Sequence, residues 1–351
     1  MPDNPEPLFP LPDRPAATPT DTSYPSLSAS AHSTGSPDTP RKYLHAAAGL
    51  VVVAVLVAAG VYGTTRSSDD VQMDTAARPA ADAAIGETPN NAVGSCTSAP
   101  VVSFNDARLS ASGLVLDVTA ASGCSVDSVV SSSSVRINVV DGSTSVAAGV
   151  FDFSSDPALL TGDGNSRLTL TFPLGTFWMV PTTLSSSTSV EFDAGSSDSS
   201  NISASEVVSL SASTVAPPTS GDAEMAAAEA LRAISDSDRA VVTSSLADRW
   251  IPQISSKKPG LVAEGKTWTN ADILLEHLQM RIRYPSARLI WSGSWSTFSS
   301  PDWWVTAVGE TYPTGESANT WCVANNLDRD HCYAKLVSAV RPVDGSTVLQ
   351  K

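Results

Sequence analysis

The chain has 351 residues, a length that allows two or three domains, and carries 21 Lys and Arg against 36 Asp and Glu, a formal charge of -15. That acidity lacks the basic footprint of a nucleic-acid binder, so no nucleic-acid partner is expected. Four cysteines exclude a disulfide-dense scaffold but allow two bridges, and four histidines argue against a His-rich metal enzyme, so no metal and no cofactor are expected.

Residues 1–42 are rich in Pro, Ser, Thr and Asp and have no periodic apolar pattern. Such a stretch buries too little surface to offset chain entropy and is expected to be a disordered cytoplasmic tail. Residues 43–63, Tyr43 to Gly63, contain no Asp, Glu, Lys or Arg and centre on the run Gly49 to Val61. At the α-helical rise this segment spans about 31 Å, one hydrocarbon core, so a transmembrane helix is expected. Arg41 and Lys42 precede it, which places the N-terminus inside and the bulk of the chain outside. The expected localisation is therefore the cell membrane, single-pass, with the bulk extracytoplasmic. Residues 64–94, rich in Ala, Asp, Asn and Pro, read as a flexible linker.

Residues 95–215 have β texture. Leu168 to Phe172 and Val135 to Val139 alternate apolar and polar, and Leu114 to Val118, Gly149 to Phe153, Val190 to Phe192 and Val207 to Leu210 read as further strands. Gly, Asp and Ser clusters separate them, which suggests an Ig-like sandwich. Cys96 and Cys124 are expected to pair, since they lie on the oxidising side of the span. Ser131–Ser134 and Ser196–Ser200 read as loops, and Asn201-Ile-Ser203 fits a glycosylation sequon. The Asp residues of this region lack the spacing of a calcium loop and read as a solvated acidic surface.

Residues 216–248 begin at Pro217-Pro218 and read as a linker with two helices. The first runs from Ala223 to Ile234; the second is capped by Ser235 to Asp238 and reaches about Leu246. Residues 249–342 follow as strand Trp250–Ser255, a long loop, and a helix with Thr269 and Asp272 as capping box and Leu274, Leu278 and Ile282 as apolar stripe. Next come strand Arg288–Trp291, strand Trp304–Gly309, a helix capped by Thr314, and strand Cys332–Val337. The order is β-α-β-β-α-β, the split ferredoxin-like arrangement. Residues 343–351 form a tail. Cys322 and Cys332 are expected to pair; a Cys332–His331 catalytic dyad is disfavoured because adjacent strand residues point to opposite faces.

With this order, Gln253 in the first strand and Trp303-Trp-Val-Thr-Ala-Val-Gly309 opening the second half, the segment resembles a sporulation-related repeat (SPOR) domain, a module that binds peptidoglycan glycan strands. The stretches Trp250-Ile-Pro-Gln-Ile-Ser-Ser-Lys257 and Asp330-His-Cys-Tyr-Ala-Lys-Leu-Val-Ser338 are also similar to extracytoplasmic tails of actinobacterial membrane proteins. The loop Lys257 to Trp268 is longer than in that family, and the usual Arg of the third strand is missing.

Seven of the eight tryptophans fall between Trp250 and Trp321. Tryptophan stacks on sugar rings through its apolar faces, so Trp291, Trp295 and Trp303 are the candidate glycan contacts. Gln253, Lys257, Lys258 and Arg288 join them as polar and basic contacts, the lysines and the arginine for carboxylates. Asp328, Asp330, His331 and His277 read as helix-end charges before they read as a metal site. No nucleophile elbow is present, since Trp291-Ser-Gly-Ser-Trp295 is no substitute, and Glu264, Glu276 and Glu310 are the carboxylates a glycosidase would draw on. The expected fold class is multidomain: disordered tail, one transmembrane helix, an all-β sandwich and an α+β domain. The expected function is non-catalytic binding of a cell-wall glycan on an exposed sheet face. An extracytoplasmic sensory or protein-interaction subunit and an envelope hydrolase are the alternatives.

Overall fold

A computed structural model describes residues 96–193 and 203–351. The expected tail (1–42), transmembrane helix (43–63) and linker (64–94) lie outside the described residues, as do Ser196–Ser200 and Asn201 of the sequon.

Ten strands precede the first helix: β1 (Val101–Ser110), β2 (Gly113–Ala121), β3 (Ser128–Val130), β4 (Val135–Asp141), β5 (Thr144–Phe151), β6 (Ala158–Leu160), β7 (Ser166–Phe172), β8 (Thr188–Asp193), β9 (Val207–Ser211) and β10 (Thr214–Val215). They form two four-stranded sheets, β1-β2-β7-β9 and β10-β5-β4-β8, and a small β3-β6 pair. Period-two alternation explains the pairing of faces. In β7, Leu168, Leu170 and Phe172 point inward, as do Val135, Ile137 and Val139 in β4. Phe151 and Phe172 meet edge to face, centroids 5.2 Å apart, and join the two sheets. The β1–β2 turn requires its glycine: Gly113 has φ +125°, and a Cβ there would sit 2.1 Å from the Phe172 carbonyl oxygen. The Cys96–Cys124 disulfide is formed, Cα atoms 5.8 Å apart.

Three helices and seven strands follow: α1 (Ala223–Val241), β11 (Trp250–Lys257), β12 (Val262–Ala263), β13 (Lys266–Thr267), α2 (Asn270–Arg283), β14 (Arg288–Trp291), β15 (Trp304–Ala307), α3 (Gly315–Ala324), β16 (Tyr333–Leu336) and β17 (Thr347–Val348). A five-stranded sheet runs β14-β15-β11-β16-β17, antiparallel throughout, and β12 and β13 form a hairpin inside the long loop. The expected Thr269–Asp272 capping box is made on α2, and Thr314, expected as a cap, forms a box with Ser317 on α3. The Cys322–Cys332 disulfide ties α3 to the turn before β16.

The expected multidomain fold class is corrected. Among the described residues no helix is long and apolar enough to cross a membrane. The described residues are mostly β-sheet with three α-helices. Within 216–248 the two expected helices are one. The chain there forms a 19-residue helix, α1, followed by a single π-helical turn, Val242–Leu246. Ser235 and Asp238 are interior helix residues rather than a cap, and both are buried. Ala226, Ala230, Leu231 and Ile234 of α1 share one core with Phe151 and Phe172 of the sandwich and with Leu274, Leu278 and Trp304 of the C-terminal part.

Three polar contacts fix α1. The carboxylate of Glu224 accepts from the Asn270 and Ala271 backbone N–H groups at 2.6 and 2.9 Å, capping α2 from outside. Asp238 takes two hydrogen bonds from the Arg281 guanidinium, at 2.5 and 3.1 Å, and accepts from the Leu289 N–H at 2.9 Å. Ser237 Oγ donates to the Thr182 carbonyl of the sandwich at 3.2 Å.

Candidate functional site

The sheet that was expected to present an open face has both faces covered. Ile254 and Val308 pack with Cys322 and Cys332 under α2 and α3. On the other face Ile251, Ile290, Val305 and Ala307 pack against Val242 and Leu246 and against Trp295 and Phe298 of the 292–303 segment. Trp295 is therefore core, 8% exposed, and not a surface contact. Lys335 of β16 is buried under the same segment. Its ammonium donates to the Thr297 carbonyl (2.7 Å), Ser346 Oγ (2.9 Å) and Thr347 Oγ1 (3.0 Å), and burial pushes its pKa down to about 8.

A groove of about 640 Å³ opens beside this sheet. The exposed face of α1 supplies Arg232 and Asp236, the turn after β11 supplies Lys258, and the N-terminus of α2 supplies Asn270. Trp291 and Trp304 are a cross-strand pair of β14 and β15 and also line the groove, centroids 4.4 Å apart and planes tilted by 53°. Ser235 of α1 holds this wall in place, its Oγ accepting from the Trp291 N–H at 3.1 Å. Lys258 forms an ion pair with Asp302 at 2.9 Å and lies 5.2 Å above the Trp303 ring. The Ser300 hydroxyl, then the Lys258 ammonium, hold the Asp302 carboxyl below its usual range. Arg232 and Asp236 are exposed, and among the described residues neither is held in an ion pair or side-chain hydrogen bond.

A second cleft, about 290 Å³, lies between β11, α2 and the turn before β16. Lys257 is buried here and sits between two carboxylates, Glu264 at 2.9 Å and Glu276 at 3.7 Å. Glu276 also accepts from Ser255 Oγ at 2.6 Å, and burial raises its pKa against the opposing pull of Lys257. Gln253 is 2% exposed, with its amide nitrogen donating to the Tyr333 hydroxyl and its Oε1 without a hydrogen-bond partner.

The seven expected contacts thus divide. Lys258 and Trp291 line the groove, and Trp303 stands beside it under Lys258. Gln253 and Lys257 line the cleft. Consecutive residues at the end of a strand project to opposite sides, which sends Lys257 and Lys258 to different sites. Arg288 reaches neither: its guanidinium donates to the Ala287 carbonyl at 2.8 Å and lies 3.6 Å from Asp238. Of the three candidate glutamates, Glu264 and Glu276 come together, whereas Glu310 contacts Tyr312 and Trp321. Cys332 is consumed in a disulfide and carries no thiol chemistry. His277 is buried against Thr306, and burial holds its pKa well down, while His331 pairs with Asp328 at 2.7 Å in an exposed turn. Among the described residues no three His, Cys, Asp or Glu side chains gather as a metal site.

Arg232, Asp236, Asn270 and Trp304 escape the sequence reading. Arg232 and Asp236 stand four apart on a helix that the reading broke at Ser235; kept whole, it would have shown them as neighbours on one face. No family model matches the chain, and no curated protein or solved structure matches it significantly.

Proposed function

We propose that this protein is a non-catalytic saccharide-binding protein of the cell envelope, with a wall glycan as ligand and the Trp291–Trp304 groove as its site. The observation that carries the reading is the half-buried Trp291, backed by the buried Trp304, on the wall of an open groove whose rim holds two unengaged groups, Arg232 and Asp236. Sugars present apolar C–H faces to indole rings and hydroxyl pairs to carboxylates and guanidinium groups. Lys258, Arg232 and Asp302 add both signs of charge, which suits a glycan that bears carboxylates as well as hydroxyls. The two disulfides support placing the described residues in an oxidising compartment.

Retention of the full chain by purified peptidoglycan sacculi tests the reading. The Arg232→Ala/Asp236→Ala variant removes two exposed side chains and leaves the fold intact, because neither packs in the core. Each lost charge-assisted hydrogen bond is worth about 1.5–3 kcal/mol, so the variant is expected to bind at least tenfold less. No retention of the folded wild type, or equal retention of the variant, contradicts the proposal.

A further inference from the structure

The cleft beside α2 shares no lining residue with the saccharide groove, and its chemistry differs. Buried Lys257 is the one cation beside two carboxylates, half-buried Glu276 and exposed Glu264. Lys257 serves both Glu264 and Glu276, and Ser255 supplies only a neutral hydroxyl to Glu276. Arg283, Asp330 and His331 also line the cleft, His331 held by Asp328. Glu276 is half-buried, where screening is weaker, and Glu264 is exposed at the edge of the cleft.

Two polar atoms in the lining lack partners. Gln253 is 98% buried by its 2% exposure, and one end of its amide is unbonded; the Tyr284 hydroxyl is buried and unbonded as well. Buried polar groups are normally satisfied, so an unbonded pair in the wall of one cleft calls for an explanation. Ile254 and Met280 supply the apolar wall. The volume, about 290 Å³, stands at the small end of ligand pockets, which run from about 300 Å³ upward.

From this geometry we propose that the cleft is a second binding site, for a small ligand carrying a primary ammonium next to an amide or hydroxyl. The ammonium takes the place beside Glu276 and Glu264, completing the charge that Lys257 balances only by half. The neighbouring amide or hydroxyl meets the Gln253 amide and the Tyr284 hydroxyl. Two sources share this chemistry, an amino sugar and the amino terminus of a short peptide. The proposal does not depend on the saccharide groove.

Calorimetric titration of the full chain with four probes tests it: glucosamine, N-acetylglucosamine, alanylalanine and N-acetylalanylalanine. At least one free amine is expected to bind, and its acetylated form at least tenfold more weakly. Binding of glucosamine alone identifies the amino sugar as the source, and binding of alanylalanine alone identifies the peptide terminus. Glu276→Gln keeps a side-chain acceptor for Ser255 and removes the charge; it is expected to weaken the amine by about tenfold. Binding of neither amine overturns the proposal, as does equal binding of amine and acetylated forms in both pairs, the sugar pair being compared in Arg232→Ala/Asp236→Ala so that the saccharide groove does not contribute. The comparison of each amine with its acetylated form does not need Glu276→Gln, so it holds even where that variant does not fold.

Discussion

Removing the Asp238 carboxylate should cost more stability than any other single polar truncation in α1. Its side chain is 3% exposed and that of Arg281 is 5% exposed. Asp238→Ala leaves the Arg281 guanidinium buried without a counterion and the Leu289 N–H without its acceptor. Breaking a buried pair by removing one partner costs about 3–5 kcal/mol. An orphaned backbone donor adds about 1–3 kcal/mol where relaxation or water does not satisfy it. These terms overlap, since one relaxation serves both groups, so a loss of about 4 kcal/mol is expected. Asp238→Asn keeps one acceptor for Leu289 and should lose less. The double variant Asp238→Leu/Arg281→Met removes both charges and should recover part of the loss, because apolar replacement of a buried pair is often close to neutral. Urea denaturation followed by tryptophan fluorescence measures all three. A loss under about 1 kcal/mol for Asp238→Ala, or a double variant less stable than the single one, would refute the role given to this pair.

Glu224→Ala removes the carboxylate that caps α2 from α1 and should cost about 1–2 kcal/mol, read in the same denaturation series; an unchanged midpoint would dismiss the cap. Lys335 gives stability a distinct pH dependence. In the unfolded chain the lysine keeps its proton to about pH 10.5, and in the folded chain it loses it at about 8. Between these values the unfolded state binds the extra proton, so stability rises with pH across that window, by at most about 3 kcal/mol. The three oxygen acceptors around the ammonium reduce the rise. The difference between wild type and Lys335→Met, measured from pH 7 to 11, isolates this contribution; a difference that falls across the window would contradict it.

Local patterns were readable from the sequence wherever one physical signal dominated. Thr269 and Asp272 announce the start of α2 because no other arrangement uses both side chains so fully. Alternation in β4 and β7 was clear because each strand buries one face. Strand β1 escaped notice because its run, Val-Val-Ser-Phe-Asn-Asp-Ala-Arg-Leu-Ser, has no clean alternation, and a register shift between Phe104 and Asp106 breaks its period. At Ser235-Asp236-Ser237-Asp238 the composition favours a cap, yet Asp238 is claimed by Arg281, which lies 43 residues away. That is a tertiary contact with no local trace, and it keeps Ser235 to Asp238 inside one helix where a cap between two was expected. The tryptophans show the same limit. Trp291 and Trp295 flank one Gly-Ser turn, yet one lines a groove and the other fills the core. Only the segment folding back over the sheet distinguishes them.

The groove beside α1 is proposed to take a saccharide. Calorimetric titration of the full chain with a soluble β-linked N-acetylglucosamine hexamer tests it most directly, run beside Arg232→Ala/Asp236→Ala. The account predicts saturable binding at one site, weakened at least tenfold in the variant. Absence of binding by the folded wild type, or equal binding by both proteins, would contradict it.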